Sequence, residues 1–418
     1  MTDVLDGLLA GLLAGIAALA IAVRIRSRDR SAEAGFLVRT FAWTILLRWT
    51  LAIVLNAFAQ NSAFAAAFWG DSGTYDAGGY QLALKWSGEP VTGVFTSTAV
   101  SGYGWVHFVG ALYFVFGRNQ LLVQFVNGLI GAVTVLVIHA IATRLFGPPA
   151  ARWAALFMAF FPQMVFWSAG MYKDPAILLC IALCMFAVLA LRERLSGGMV
   201  VLFVASELAL ITLRFYVAYF VAFAALATFL FAKRGGVLRS IVTYCLLGVL
   251  LFAALSLGAR RETLERQAAY MTLERLQITR EDQATWGRSG FGQEYDVSTP
   301  SGALAALPVG LVYLLFAPFP WSISGIRQAL ALPETIVWYL LMPAFVRGVV
   351  YAVRHRLREV LPILVFAASL TGAYAMMQGN VGTAYRQRTQ ISMFFFVFMG
   401  VGIVEKRRQR RGEPTLPQ

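Results

Sequence analysis

Charge is scarce in this chain. Only 13% of its 418 residues are Asp, Glu, Lys or Arg, about half the share of an ordinary soluble domain. Histidine occurs three times, as His107, His139 and His355, and no pair has ligand spacing, which argues against a zinc centre. The three cysteines, Cys180, Cys184 and Cys245, all sit in apolar stretches and read as packing thiols, not as a disulfide framework or a metal site. There is no Walker loop and no Gly-x-Ser-x-Gly elbow, so neither an ATP-driven engine nor that type of serine hydrolase is expected. No metal and no cofactor are called for.

What the chain has is apolar length. Hydrophobic residues make up 59% of it, and its mean hydropathy is +0.68. Stretches of about 20 apolar residues, each enough to cross a hydrocarbon core of about 30 Å, recur from end to end. They are continuous, not alternating, which excludes a β-barrel. The expected fold is an all-α polytopic membrane protein, a single integral membrane domain over residues 1–418. The net charge of +14 does not point to nucleic acid, because the basic residues cluster at the ends of apolar spans, as the positive-inside rule requires.

Those clusters orient the chain. A first span near Leu5–Val23 is followed by Arg24, Arg26, Arg28, Arg30 and Arg39, a block that belongs in the cytoplasm. Basic residues that follow the apolar run also argue against a secretory signal. A second span near Phe41–Phe58 puts the next polar segment outside. Spans near Leu121–Thr143, Ala151–Trp167, Ala176–Leu191, Val200–Leu213, Val217–Phe231 and Leu238–Leu257 then alternate with inner basic clusters. These are Arg144 with Arg152, Arg192 with Arg194, and Lys233, Arg234 and Arg239. Gly102–Gly117 reads as an interfacial helix on the outer surface. Leu304–Trp321, with Pro308, Pro318 and Pro320, reads as a re-entrant or interfacial segment. The sum is about eleven crossings, so a bundle of about 11–13 transmembrane helices is expected, amino terminus outside and carboxyl terminus inside.

The outer side then collects the chemistry. A first loop over 60–118 holds Gly70-Asp71-Ser72-Gly73-Thr74-Tyr75-Asp76, and a second over 259–302 holds Trp286–Pro300. The latter reads as a candidate active-site cover or as a plain connector. Lys173, Asp174, Arg214, the Pro-Phe-Pro-Trp run ending at Trp321, and Gly379–Arg388 also fall outside. Arg386 and Arg388 run against the positive-inside trend there. A loop that lets one of them reach a lipid phosphate or pyrophosphate would fit guanidinium geometry. Carboxylates facing arginines at a bilayer suit transfer of a group from a lipid-phosphate carrier. A carboxylate serves as general base on the acceptor hydroxyl, and arginines stabilise the phosphate leaving group.

Each residue also has a plain structural reading. Asp71 fits a helix N-cap, as does Asp174 before Pro175. Asp76, five residues on, points elsewhere on a helix. Lys173 fits a solvated neighbour, and Arg386 and Arg388 fit interfacial anchors. Arg48 and Glu207 lie within spans, where charge is either paired or functional.

The order of motifs resembles the GT-C class of polyprenyl-phosphate-sugar glycosyltransferases, in particular protein O-mannosyltransferases and lipid A aminoarabinose transferases. The text that carries this is Asp71-Ser72-Gly73-Thr74-Tyr75, Leu112–Gly117, Arg144-Leu145-Phe146-Gly147 and Tyr172-Lys173-Asp174-Pro175, within roughly the first 190 residues. The resemblance implies a GT-C-like bundle with Asp71 as catalytic base and Asp174 as the second carboxylate. It also implies a lipid-linked sugar as donor, a glycan, lipid or protein as acceptor, and a bacterial inner membrane with the site facing the periplasm. The chain departs from the pattern in two places. Ser72 stands where some relatives have Glu, and Thr96–Gly104 carries no phosphate-binding lysine. Donor phosphate contacts are therefore sought at Arg386, Arg388, Lys173 and Arg214, and substrate contacts at Tyr75, Asp76, Tyr295 and Trp321. No large soluble carboxyl-terminal domain is expected. Competing readings are a lipid-linked saccharide flippase or transporter, and an oligosaccharide polymerase or ligase.

Overall fold

The computed structural model describes residues 2–28, 31–58, 70–91, 102–230, 261–287, 289–323 and 325–414. The expected span at Leu238–Leu257, with Cys245, and the cluster Lys233, Arg234 and Arg239 lie outside the described residues, as does the Trp286 side chain.

Fourteen helices and no strand are found among the described residues. They are α1 (Thr2–Arg28), α2 (Ala32–Phe58), α3 (Gly70–Trp86), α4 (Tyr103–Phe116), α5 (Gln120–Phe146), α6 (Pro148–Phe160) and α7 (Pro162–Ala169). There follow α8 (Asp174–Glu193), α9 (Gly197–Leu230), α10 (Arg261–Tyr270), α11 (Leu273–Gly287), α12 (Pro300–Phe316), α13 (Ile326–Met377) and α14 (Val381–Arg410). Seven of them, α1, α2, α5, α8, α9, α13 and α14, are long and apolar enough to cross a membrane.

Two of the seven are broken. At 52 residues, α13 would run about 78 Å if straight, and it departs from helical geometry at Arg356. The break in α9 falls at Arg214, between the two spans expected at Val200–Leu213 and Val217–Phe231. The short apolar helices α4 and α12 are 14 and 17 residues long.

Two segments expected as loops are helical. Asp71 lies in the first turn of α3. Arg386 and Arg388 lie in α14, because the Asn380 side chain accepts from the backbone N–H of Gly382 at 2.7 Å and of Thr383 at 3.2 Å. Such a cap satisfies orphan donors and starts the helix at once, so the two arginines diverge around it by about 200°.

The chain divides into two compact units. The first comprises Met1–Ala140, Ala155–Ala182 and Ala209–Arg214; the second comprises Ile141–Ala154, Leu183–Leu208 and Phe215–Gln418. In the first, Ala10, Ala14, Ala52, Leu122 and Phe125 form a core cluster. Arg48, fully buried on α2, donates to the carbonyls of Met158 at 3.2 Å and Ala159 at 2.8 Å. These are orphan acceptors at the end of α6, so the intramembrane charge neutralises a helix C-terminus.

In the second unit α14 is central, with 89% of its membrane window buried. Its backbone comes very close to that of α13. A Cβ on Gly348 would lie 1.8 Å from Phe398 O, and one on Gly402 would lie 1.9 Å from Ala344 O. Ala344 and Gly348, facing Phe398 and Gly402, are a small-residue contact of the kind that holds membrane helices together. The arginine device recurs here. Arg356 donates to Leu145 O at 2.8 Å, Arg388 to Leu315 O at 3.0 Å and Ala317 O at 3.1 Å, and Arg280 to Met376 O at 2.8 Å. Each acceptor belongs to the end of a different helix. Glu207 is buried at 3.6 Å from Cys184 Sγ.

Candidate active site

The site is built outward from α3. One turn and a half separates Asp71 from Asp76, or about 500° of helix rotation, so the two carboxylates leave the helix in different directions. Asp71 is exposed, while Tyr75 and Asp76 are buried. Asp76 is fully engaged. Tyr113 Oη donates to its Oδ1 at 2.6 Å, and Arg118 Nη2 donates to its Oδ2 at 2.5 Å. The Arg118 guanidinium also lies 4.7 Å from the Tyr80 ring centre. The hydrogen bond to Asp76 raises the Arg118 pKa above its ordinary value. Burial, then the neighbouring Asp76, pushes the Tyr113 hydroxyl far above its usual range, so it stays a donor. Asp76 therefore clamps α3 to α4, while Asp71 lies at the exposed start of the same helix.

Helix α4 carries the arrangement further. Its start is Gly102, with φ of 88° and no side-chain cap. Gly102 N donates to Thr212 O at 3.1 Å, and Trp105 Nε1 donates to Met171 O at 3.0 Å. A Cβ on Gly102 would lie 2.7 Å from Lys173 Nζ, so the ammonium packs directly on this glycine. The turn before Lys173 is pinned by Asn127 Nδ2, which donates to Gly170 O at 2.7 Å and Tyr172 O at 2.8 Å. Next in the chain, Asp174 opens α8 with no exposed surface, and Arg214 Nη2 stands 3.7 Å from its Oδ1. One cation thus faces the buried Asp174 carboxylate, and a second lies at the start of α4. Backbone N–H groups at a helix start and side-chain cations are the groups that bind phosphate.

Asp71, Tyr75, Asp76, Lys173, Asp174 and Arg214 all belong to the first unit, whereas Tyr295, Trp321, Arg386 and Arg388 belong to the second. Arg388 has no exposed surface. Both Nη1 bonds go to backbone carbonyls, and its guanidinium lies near the Trp338 and Tyr385 rings at 5.1 and 5.0 Å. Arg386 is half-buried in the first turns of α14. Tyr295 is half-buried and lines a cleft of about 180 Å³. Trp321 is 80% exposed and stacks on Phe319 at 5.3 Å. Among the described residues, no cluster of His, Cys, Asp and Glu is arranged to hold a metal ion.

Arg118 carries this geometry without having stood out in the sequence, and Gly102 and Tyr113 were met there only within the interfacial helix and the Leu112–Gly117 motif. For Arg118 a signal was available, a lone basic residue directly after the interfacial helix. For Gly102 there was none, because its role depends on what packs against it.

Residues 104–257 match the family described as dolichyl-phosphate-mannose-protein mannosyltransferase. The matched segment begins in α4 and takes in Lys173, Asp174 and Arg214, but not Asp71. Among solved structures, the archaeal oligosaccharyltransferase AglB from Archaeoglobus fulgidus, in complex with an inhibitory peptide and a dolichol-phosphate, is similar, with a TM-score of 0.51 at 14% identity. The likeness covers 92% of this chain and 51% of AglB, so the chain spans about half the length of that protein. No curated protein sequence matches. The fold is the GT-C-like helical membrane fold.

Proposed function

We propose that the chain is a membrane glycosyltransferase that moves a sugar from a polyprenyl-phosphate carrier to an acceptor hydroxyl at the extracytoplasmic face of a bacterial inner membrane. The observation that carries this is the Lys173 ammonium packed on Gly102 at the uncapped start of α4. The aminoarabinose transferases that the motifs resemble carry a phosphate-binding lysine just before the interfacial helix. Here the lysine comes from a distant segment and arrives at the same end of that helix.

In this reading Asp71 takes the proton from the acceptor hydroxyl. The acceptor oxygen then bonds to the anomeric carbon as the bond from that carbon to the carrier phosphate oxygen breaks. The electron pair leaves with the phosphate, whose growing charge Lys173, Arg214 and the start of α4 stabilise. Asp174 holds Arg214 and acts through it. Asp76 is not assigned as the base, since Tyr113 and Arg118 occupy its oxygens. Arg388 is assigned to capping α12, and donor binding is assigned away from it.

The test uses the full chain in nanodiscs with a panel of synthetic polyprenyl-phosphate sugars. Wild-type protein should release carrier phosphate in the presence of acceptor. Asp71→Asn should lower turnover by about 10²–10⁴ while donor binding persists. Movement of intact lipid-linked saccharide across vesicles without cleavage would favour the transporter reading and defeat this one.

A further inference from the structure

The second unit contains a cleft that the transfer chemistry above does not use. It lies between α11, the segment at 289–297, and Gly379. Its walls are fixed in place. Phe291 N donates to Gly379 O at 3.0 Å, Val381 N to Ser289 O at 3.0 Å, and Val297 N to Gln277 Oε1 at 2.9 Å. Arg280 Nη2 donates to Gly292 O at 2.7 Å, and the Phe291 ring stacks on Tyr313 at 4.1 Å, with 7° between the planes. A segment that could have been a mobile cover is therefore held to α11 and to the start of α14. A wall held this way costs little to order on binding.

We propose that this cleft is a binding site for one ring of a neutral saccharide. The proposal deepens the transferase reading and rests on it for which sugar is bound. The lining supplies what a sugar ring needs. Tyr295 offers a half-buried aromatic face for C–H groups, and the polar groups are the Glu281 carboxylate, the Gln293 amide and the Thr285 hydroxyl. Sugar hydroxyl groups donate to the carboxylate and to Thr285 Oγ1, whose own proton goes to Glu281 O at 2.8 Å, and accept from the amide. At about 180 Å³ the cleft is smaller than the sites that hold drug-sized ligands, a scale suited to one sugar ring.

The same lining disfavours a phosphate. Among the described residues the one cation in the cleft is Arg280, and both its Nη atoms already donate to backbone carbonyls. Burial also lowers its pKa from the ordinary value. Glu281 beside it adds negative charge. The cleft thus differs in kind from the cation-rich surroundings of Gly102.

The experiment is saturation-transfer NMR on the full chain in nanodiscs. The probes are methyl glycosides of common hexoses and N-acetylhexosamines, with inorganic pyrophosphate as competitor. At least one glycoside should receive saturation on its ring protons. That signal should fall about tenfold in Tyr295→Ala, fall in Glu281→Gln, and persist in Tyr295→Phe, which keeps the ring. Pyrophosphate should not displace it.

No glycoside signal that depends on Tyr295 and Glu281 would overturn the proposal, as would displacement by pyrophosphate. Glu281 is exposed, so Glu281→Gln tests the idea even if Tyr295→Ala fails to fold. Asp71→Asn should keep the signal while losing transfer. Loss of transfer in Asp71→Asn without any glycoside signal would remove the cleft and leave the transferase reading intact. A Tyr295-dependent signal with no transfer from any donor would do the reverse.

Discussion

Replacing Gly102 by alanine is the sharpest perturbation available at the α4 start. The residue has φ of 88°, where a side chain costs about 1 kcal/mol in backbone strain. The new methyl would also lie 2.7 Å from Lys173 Nζ, inside contact distance, and the ammonium is the movable partner. It must retreat by the order of 1 Å. A shift of that size in a group that holds charge at a reacting centre can cost up to about 10²-fold, and about tenfold in donor affinity follows if one charge-assisted hydrogen bond is weakened.

The assay is donor-lipid binding and steady-state kinetics on full-length protein in nanodiscs, with thermal unfolding measured in parallel. Gly102→Ala should raise donor KM and lower turnover by more than its loss of stability explains. In a Lys173→Met background the same glycine change should cost backbone strain alone, so the two effects should not add. Unchanged donor KM and turnover in Gly102→Ala, or full additivity with Lys173→Met, would refute the placement of Lys173 at the donor phosphate.

Further expectations follow from the same geometry. Asp76→Asn and Arg118→Ala should each lower stability by about 1–3 kcal/mol, discounted because the Arg118 side chain is 46% exposed, and turnover should fall through misplacement of Asp71; calorimetry beside kinetics separates the two. Arg48→Met leaves the Met158 and Ala159 carbonyls without their donor and should cost about 2–4 kcal/mol in thermal unfolding. Arg388→Lys should lower stability by loss of one of its two carbonyl bonds while donor KM stays constant; a raised KM with unchanged stability would return Arg388 to phosphate binding. Thr74 is exposed one turn along from Asp71, so Thr74→Cys should label with an impermeant reagent in intact cells, and protection until permeabilisation would place α3 in the cytoplasm.

Much of the fold was legible because its causes are local. Continuous apolar runs dictate helices in a bilayer, whatever they pack against. The break in α9 at Arg214 lay between two spans that the charge pattern had already separated. That Asp71 and Asp76 leave α3 in different directions followed from the helical period alone.

The loop expected at Gly379–Arg388 had a local signal of the opposite kind. Asn380 before Val381-Gly382-Thr383 is an N-cap, and it makes α14 begin before Arg386 and Arg388. Other features depended on the tertiary structure. A sequence shows that a buried arginine needs a counter-charge, but not where that charge comes from. Arg48 finds its partners at the carbonyl end of another helix, and Arg280 and Arg388 also donate to such ends, since orphan acceptors and the helix dipole are real partners for a cation. Lys173 reaches Gly102 for the same reason of distance. Residues that are far apart in the chain meet only when packing brings their helices together, and no local pattern records that meeting.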